Sequence, residues 1–226
     1  MKANLFLLSV AMMGLATSCQ QNPESQPLAD EVQYVDPFIG TGFHGHTFPG
    51  VTRPYAMVQL SPDTHIMGWD ASSGYHYDDH QIYGFSHTHL SGTGIGDLGD
   101  VLLLPFSGGD SIKPVATFKK ETEKATPGYY AVRLENLGVN VELTSTDRVG
   151  FHRYTFDNPK DRRVMLDLGH VLQPNWGHKL VSNDYQLVND STVEGTYKTQ
   201  GWAHFHSVSY RVTFSEPMTK IYQYID

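Results

Sequence analysis

Cysteine is almost missing from this chain. A single Cys19 stands among 226 residues, so the fold can hold no internal disulfide and must rest on core packing. Basic runs are missing too. Sixteen Lys and Arg face 24 Asp and Glu, a net charge of −8, which argues against a nucleic-acid partner. Glutamate is absent between Glu31 and Glu121, a stretch that carries only aspartates as its acids. Outside the first residues there is no long apolar run and no amphipathic helical period, so neither a membrane-spanning helix nor a helical bundle is expected.

What is present begins with an export signal. Lys2 supplies the positive end, Leu5 to Leu15 the short apolar core, and "ATSC" the small residues before Cys19. The expected division is a signal peptide over 1–18, then a lipidated Cys19 and a flexible polar tether over 19–33, then a folded domain over 34–226. Acylation of Cys19 would anchor the protein to a membrane, in the periplasm or at the outer membrane. Ordinary signal cleavage is the alternative.

Two textures follow. From Asp36 to Gly99 the chain holds eleven of its 21 glycines and seven of its 12 histidines, with little regular period. From Asp100 onward it reads as short β-branched and aromatic runs: "DVLLLPF", "YYAVRL", "VNVELTST", "VGFHRYTF", "RRVMLDL", "STVEGTYKT", "HSVSYRVTF" and "KIYQYI". Turn residues such as Pro127-Gly128, Asn136-Leu137-Gly138 and Asn189-Asp190 separate them. Val139, Val141 and Leu143 alternate, as do Val208, Tyr210, Val212 and Phe214, which predicts half-buried antiparallel strands. The spacing fits an all-β antiparallel sandwich or barrel.

The segment "YGFSHTHLSGTGIGDLGDVLLLP" (Tyr83–Pro105) admits three readings. Gly94 to Gly99 matches the spacing of a dinucleotide fingerprint, but a strand follows where a helix is required. His87 and His89 share the spacing of two ligands on one strand face and could found a metal-dependent enzyme, though no third ligand is fixed locally. The third reading is a sugar pocket. "GTGFHGHTFPG", "GWDASSGYHYDD" and "GFSHTHLSGTGIGD" share glycine, aromatics and uncharged hydrogen-bonding groups. Converging at one rim, they would offer Phe43, Trp69 and Tyr75 for stacking, and His44, Asp70, Ser72, His87 and His89 for hydroxyls. The competing reading is that these loops only brace one another.

The stretches "VDPFIGTGFHGHTFPG", "MVQLSPDT", "GWD", "SGYHY", "GFSHTHLSGTGIGDLGDVLLLP" and "VGFHRYTF" resemble the amino-terminal domain of glycoside hydrolase family 92, calcium-dependent exo-acting α-mannosidases. The resemblance runs from about Tyr34 to Phe214. It implies a supersandwich-like β-sandwich, helix-poor, that precedes an (α/α)6 barrel. It also implies inverting hydrolysis of α-mannosides, with the catalytic acids and most calcium ligands on that barrel. On this reading the chain carries no catalytic residue of its own. Asp36, Asp63, Asp70, Asp78, Asp79, Asp97 and Asp100 serve as loop braces. The partners are mannose-containing glycans and a barrel supplied in cis or by an adjacent gene. A stand-alone carbohydrate-binding module is the alternative. Members acting on α-1,2-linked mannose carry Trp-Cys where this sequence has Ala71-Ser72, which implies another linkage here.

Overall fold

The computed structural model describes residues 30–64, 67–109 and 111–224. The expected signal peptide, Cys19 and the expected tether up to residue 29 lie outside the described residues. Asp30–Tyr34 forms a 3-10 turn, exposed from Glu31 to Tyr34. Among the described residues no helix is long and apolar enough to cross a membrane.

Fourteen strands follow, all paired antiparallel. They are β1 (Val51–Thr52), β2 (Gln59–Asp63), β3 (Gln81–Ile82), β4 (Gly84–Ser86), β5 (Leu102–Phe106), β6 (Ala116–Thr117), β7 (Lys124–Thr126), β8 (Tyr129–Leu134), β9 (Val139–Ser145), β10 (Gly150–Phe156), β11 (Arg163–Asp167), β12 (Lys179–Asn189), β13 (Thr192–Gln200) and β14 (His206–Thr213). The only helical segments among the described residues are four short 3-10 turns. The chain is therefore all-β.

Two sheets make the sandwich. One has the order β1-β2-β4-β5-β11, the other β10-β9-β8-β7. Alternation on β9 sends Val139, Val141 and Leu143 inward, and β8 does the same with Tyr130, Val132 and Leu134. They meet Leu60, Phe85 and Leu104 from the first sheet in one apolar cluster. Each fully buried aliphatic or aromatic side chain there contributes about 1.5–3 kcal/mol relative to exposure. β5 is buried along its whole length, which explains why "LLLPF" shows no alternation. The β7–β8 hairpin turns at Pro127-Gly128, with Gly128 at φ +81, the conformation that turn demands.

A third sheet, β12-β13-β14, stands beside the sandwich. On β14 the half-buried residues are His206, Val208, Tyr210 and Val212, matching their period-two spacing. β12 went unread in the sequence because it is exposed along nearly all of its eleven residues and so shows no apolar alternation. Conversely, "KIYQYI" forms no strand over the described residues 220–224, although its composition suits one. Its Ile221, Tyr222 and Tyr224 are exposed, so nothing pairs with or packs on the segment to hold it extended.

Candidate functional site

The three glycine-rich loops do converge. Ser73 Oγ donates to Thr47 O at 3.0 Å, joining the second loop to the first. Gly92 N–H donates to His46 O at 2.7 Å, joining the third to the first. Trp69 Nε1–H donates to Gly94 O at 3.0 Å, joining the second to the third. Glycine matters at Gly45, where an added Cβ would lie 2.0 Å from Gly40 O and force the first loop apart.

At this junction four of the expected site residues meet. His44 Nδ1 lies 2.7 Å from Asp70 Oδ1. The His44 ring stacks obliquely between Phe43 and Trp69, at centroid distances of 4.0 and 4.8 Å. Phe43 is 78 % exposed and Trp69 48 % exposed. The hydrogen bond from His44 holds the Asp70 carboxyl below its ordinary value, so it is an acceptor at neutral pH. With Nδ1–H donating to Asp70, a neutral His44 presents its Nε2 lone pair as a second acceptor. His46 joins them from below. Its ring meets Trp69 edge-on at 4.5 Å, and its buried Nε2 stands 3.6 Å from Asp70 Oδ1 without a hydrogen bond.

The other four expected residues lie elsewhere. Tyr75 is 1 % exposed, and its hydroxyl donates to Glu123, which also accepts from Tyr130 and Lys120. Burial, first of all, and the Glu123 charge push its pKa up strongly. Its expected stacking face is therefore closed to a ligand. Ser72 is buried, and its Oγ donates to Trp69 O at 2.6 Å, closing the one-turn 3-10 helix Trp69–Ala71.

His87 and His89 follow the end of β4 and sit in a loop, not on a strand. Each has both ring nitrogens committed inside the protein. His87 Nδ1 lies 2.7 Å from Val101 O and its Nε2 3.1 Å from His152 Nε2. His89 Nδ1 lies 2.7 Å from Gln59 O, and its Nε2 lies 2.7 Å from Asp63 Oδ1 and 3.0 Å from Ser86 Oγ. Both nitrogens of His89 are thus held by oxygen atoms of the protein. His170 Nε2 binds the other oxygen of Asp63 at 2.9 Å. Burial alone would raise the Asp63 pKa, but the His89 charge and the His170 hydrogen bond hold it well below the ordinary carboxylate range.

The glycine ladder is a brace. Thr88 and Asp100 exchange two hydrogen bonds, Thr88 Oγ1 to Asp100 Oδ2 at 2.6 Å and Asp100 N to Thr88 Oγ1 at 2.9 Å. Asp100 also accepts from His206 on β14, which raises the His206 pKa. Asp97 Oδ2 accepts from Ala203 N at 2.8 Å. These bonds hold Leu98 and Val101 at positive φ, a conformation costly for residues with a branched side chain. Asp63 was expected as a loop brace, but its partner His170, like Gln173 and His206, carries no local pattern that marks it. Their partners lie up to 107 residues away. Among the described residues no three His, Cys, Asp or Glu side chains are grouped so as to hold a metal ion.

Fold and rim together define an antiparallel β-sandwich domain with a loop-built site of aromatic, imidazole and carboxylate groups. Residues 34–225 match the Glycosyl hydrolase family 92 N-terminal domain, and the chain belongs to that family. It is similar to a family 92 α-mannosidase of Bacteroides thetaiotaomicron, solved alone and in complex with mannoimidazole. The two are 37 % identical at a TM-score of 0.79, over 83 % of this chain and 26 % of that one. A second family 92 glycosyl hydrolase, ccman5, is 26 % identical at a TM-score of 0.66, over 80 % of this chain and 26 % of that one. An uncharacterised secreted glycosidase of Arthroderma benhamiae is 34 % identical over 155 residues, 62 % of this chain. The match spans only 20 % of that glycosidase, and a quarter of the two solved enzymes.

Proposed function

We propose that this chain is the sugar-binding amino-terminal domain of an exported α-mannosidase that acts on the α-mannosides of glycans. The observation that carries the reading is the junction of three loops at Phe43, His44, Trp69 and Asp70 in a family 92 domain. A pyranose presents a CH face and a ring of hydroxyls. Trp69 and Phe43 offer the apolar partner, and Asp70 and His44 Nε2 accept hydroxyl protons.

An inverting glycosidase needs two carboxyl groups about 6.5–9.5 Å apart, one to protonate the leaving oxygen and one to activate water. At the rim, Asp70 already accepts from His44 and so serves as an oriented hydroxyl ligand. In this reading the acid and base of an inverting reaction, and the calcium it depends on, belong to an (α/α)6 barrel outside this chain, in cis or from an adjacent gene. Secretion of the fungal relative and the sequence around Cys19 support export, with lipid anchoring in the periplasm or at the outer membrane. Ser72 faces inward with its Oγ bound to Trp69 O, and Ala71-Ser72 brings no second tryptophan to the rim. That favours a linkage other than α-1,2.

The test is hydrolysis of an aryl α-mannoside and of mannobioses, by this chain and by a protein extended to the length of its relatives, with and without calcium. Turnover only by the extended, calcium-loaded protein is expected. Mannose release by residues 19–226 alone would overturn the division of labour. Sugar binding without hydrolysis by either protein would favour a stand-alone binding module.

A further inference from the structure

Tryptophan is usually among the most buried side chains on average, yet all three tryptophans of this chain are exposed. Trp69 is 48 %, Trp176 41 % and Trp202 66 % exposed. All three are tied to one loop. Trp69 Nε1 bonds to Gly94 O at 3.0 Å. Trp176 closes the 3-10 turn Pro174–Trp176, whose preceding residue Gln173 donates from Nε2 to Gly68 O at 2.6 Å. Gln173 also presses so closely on Gly96 that a Cβ there would stand 2.4 Å from its Cγ. Trp202 lies between Gly201 and Ala203. Ala203 N–H bonds to Asp97, and a Cβ on Gly201 would stand 2.6 Å from the other Asp97 oxygen. Gly94, Gly96 and Asp97 are thus three neighbouring footings, each holding one tryptophan segment.

The footing under Trp202 is rigid. Asp97 is buried, its Oδ1 accepts from Leu98 N at 3.0 Å, and Gly201 N–H closes a tight turn onto Ala203 O at 3.0 Å. Phe205 leaves the same turn, also exposed, and His206 pins the start of β14 to Asp100. Aromatic rings held out by buried polar anchors, with polar Gln200 and His204 among them, form a platform for a ligand with both apolar faces and hydroxyls. A closed apolar core would instead bury them.

We propose that Trp202, with Phe205, forms a second sugar subsite tied to the Trp69 site through the Gly94–Asp97 loop, and that it takes the pyranose one or two units along an α-mannoside chain. This rests on the reading of Trp69, His44 and Asp70 as the first sugar position, and it extends that site to oligosaccharides.

The experiment measures binding of methyl α-mannoside and of a linear α-mannotriose to this chain by titration calorimetry. Trp202→Ala should weaken mannotriose about tenfold, as expected for loss of one aromatic contact, and leave methyl α-mannoside unchanged. Trp202→Phe should restore most of the affinity, whereas Trp69→Ala should weaken both ligands. Mannotriose binding by Trp202→Ala equal to that of the unaltered chain overturns the second subsite and leaves the first standing. The same holds if Trp202→Ala keeps its mannotriose affinity but loses association with the remainder of the enzyme, which would make the rim a protein contact. If the unaltered chain binds neither sugar, both the subsite and the reading beneath it fall.

Discussion

His87 Nε2 and His152 Nε2 face each other at 3.1 Å, and this contact fixes the protons of three groups, His87, His152 and Tyr154. His87 Nδ1 bonds to a carbonyl, Val101 O, so it carries a proton. Burial, first, lowers the pKa of both rings, and the proximity of His87 lowers that of His152 further, so both are neutral. His87 Nε2 is then an acceptor, His152 Nε2–H donates to it, and His152 Nδ1 accepts from the Tyr154 hydroxyl at 2.8 Å. Long-range proton–nitrogen NMR correlation should find the Nδ1–H tautomer for His87 and the Nε2–H tautomer for His152. The opposite assignment for either ring would break the chain.

The same pair sets a pH dependence. A histidine with a depressed folded pKa binds fewer protons folded than unfolded once pH falls below the unfolded value of about 6.5. Stability should therefore decline as pH drops from 6.5 towards 5, by up to about 1.4 kcal/mol per pH unit for each histidine. His206 works in the other direction, because Asp100 raises its pKa and its contribution is lost as pH rises. Urea unfolding at pH 8, 6.5 and 5 should show the acid loss, and replacing His152 by Phe should flatten it.

Asp63 accepts from two histidines in a fully buried position. Asp63→Asn removes the buried carboxylate that both His89 and His170 bind, and should cost about 3–5 kcal/mol. Asp190→Asn, at an exposed turn, should stay within about 0.5 kcal/mol. Because the Asp63 pKa is depressed, its contribution should be fully present above the unfolded carboxylate value of about 3.9 and be lost progressively as pH falls from there through the lower folded value. Chemical denaturation of both variants checks the contrast, and acid unfolding followed by circular dichroism checks the window.

Gly150 stands where β10 passes His87. A Cβ there would lie 2.8 Å from His87 Cδ2 and 3.1 Å from a methyl of Leu60. Gly150→Ala should cost about 1–3 kcal/mol through overpacking and shift the His87 and His152 imidazole resonances. Unchanged resonances would show that β10 moves aside freely.

Asp70 is a surface acceptor with no role in the core. Asp70→Ala should leave the thermal midpoint within a few degrees and weaken mannoside binding at least about tenfold, the scale of one charge-assisted hydrogen bond. Calorimetry beside a thermal melt separates the two effects.

Much of the β framework was legible in the chain. Seven of the eight β-rich runs became strands: β8, β9 and β14 show the alternation of one buried face, whereas β5 was marked only by its continuous apolar run. β12 escaped because it is exposed along nearly its whole length, and the terminal "KIYQYI" misled because composition without a partner strand makes no sheet. At the site, Phe43, His44, Trp69 and Asp70 could be named from loop composition. Tyr75, Ser72, His87 and His89 share that composition but face the interior, and loops have no period from which inward and outward positions could be told apart.

The sequence by itself determined seven of the strands, β5, β8–β11, β13 and β14, the turns at glycine and proline, the family, and the three loops rich in glycine, histidine and aromatic residues. Only the tertiary structure decided that Asp63 joins His89 to His170, that Asp100 receives His206, and that Trp202 shares a loop with Trp69. The physical reason is range. Strand and turn preferences are set within a few residues, whereas Asp63–His170, Asp100–His206 and Asp97–Ala203 are 106 or 107 residues apart and meet only once sheet order has carried β11, β12 and β14 alongside the glycine ladder.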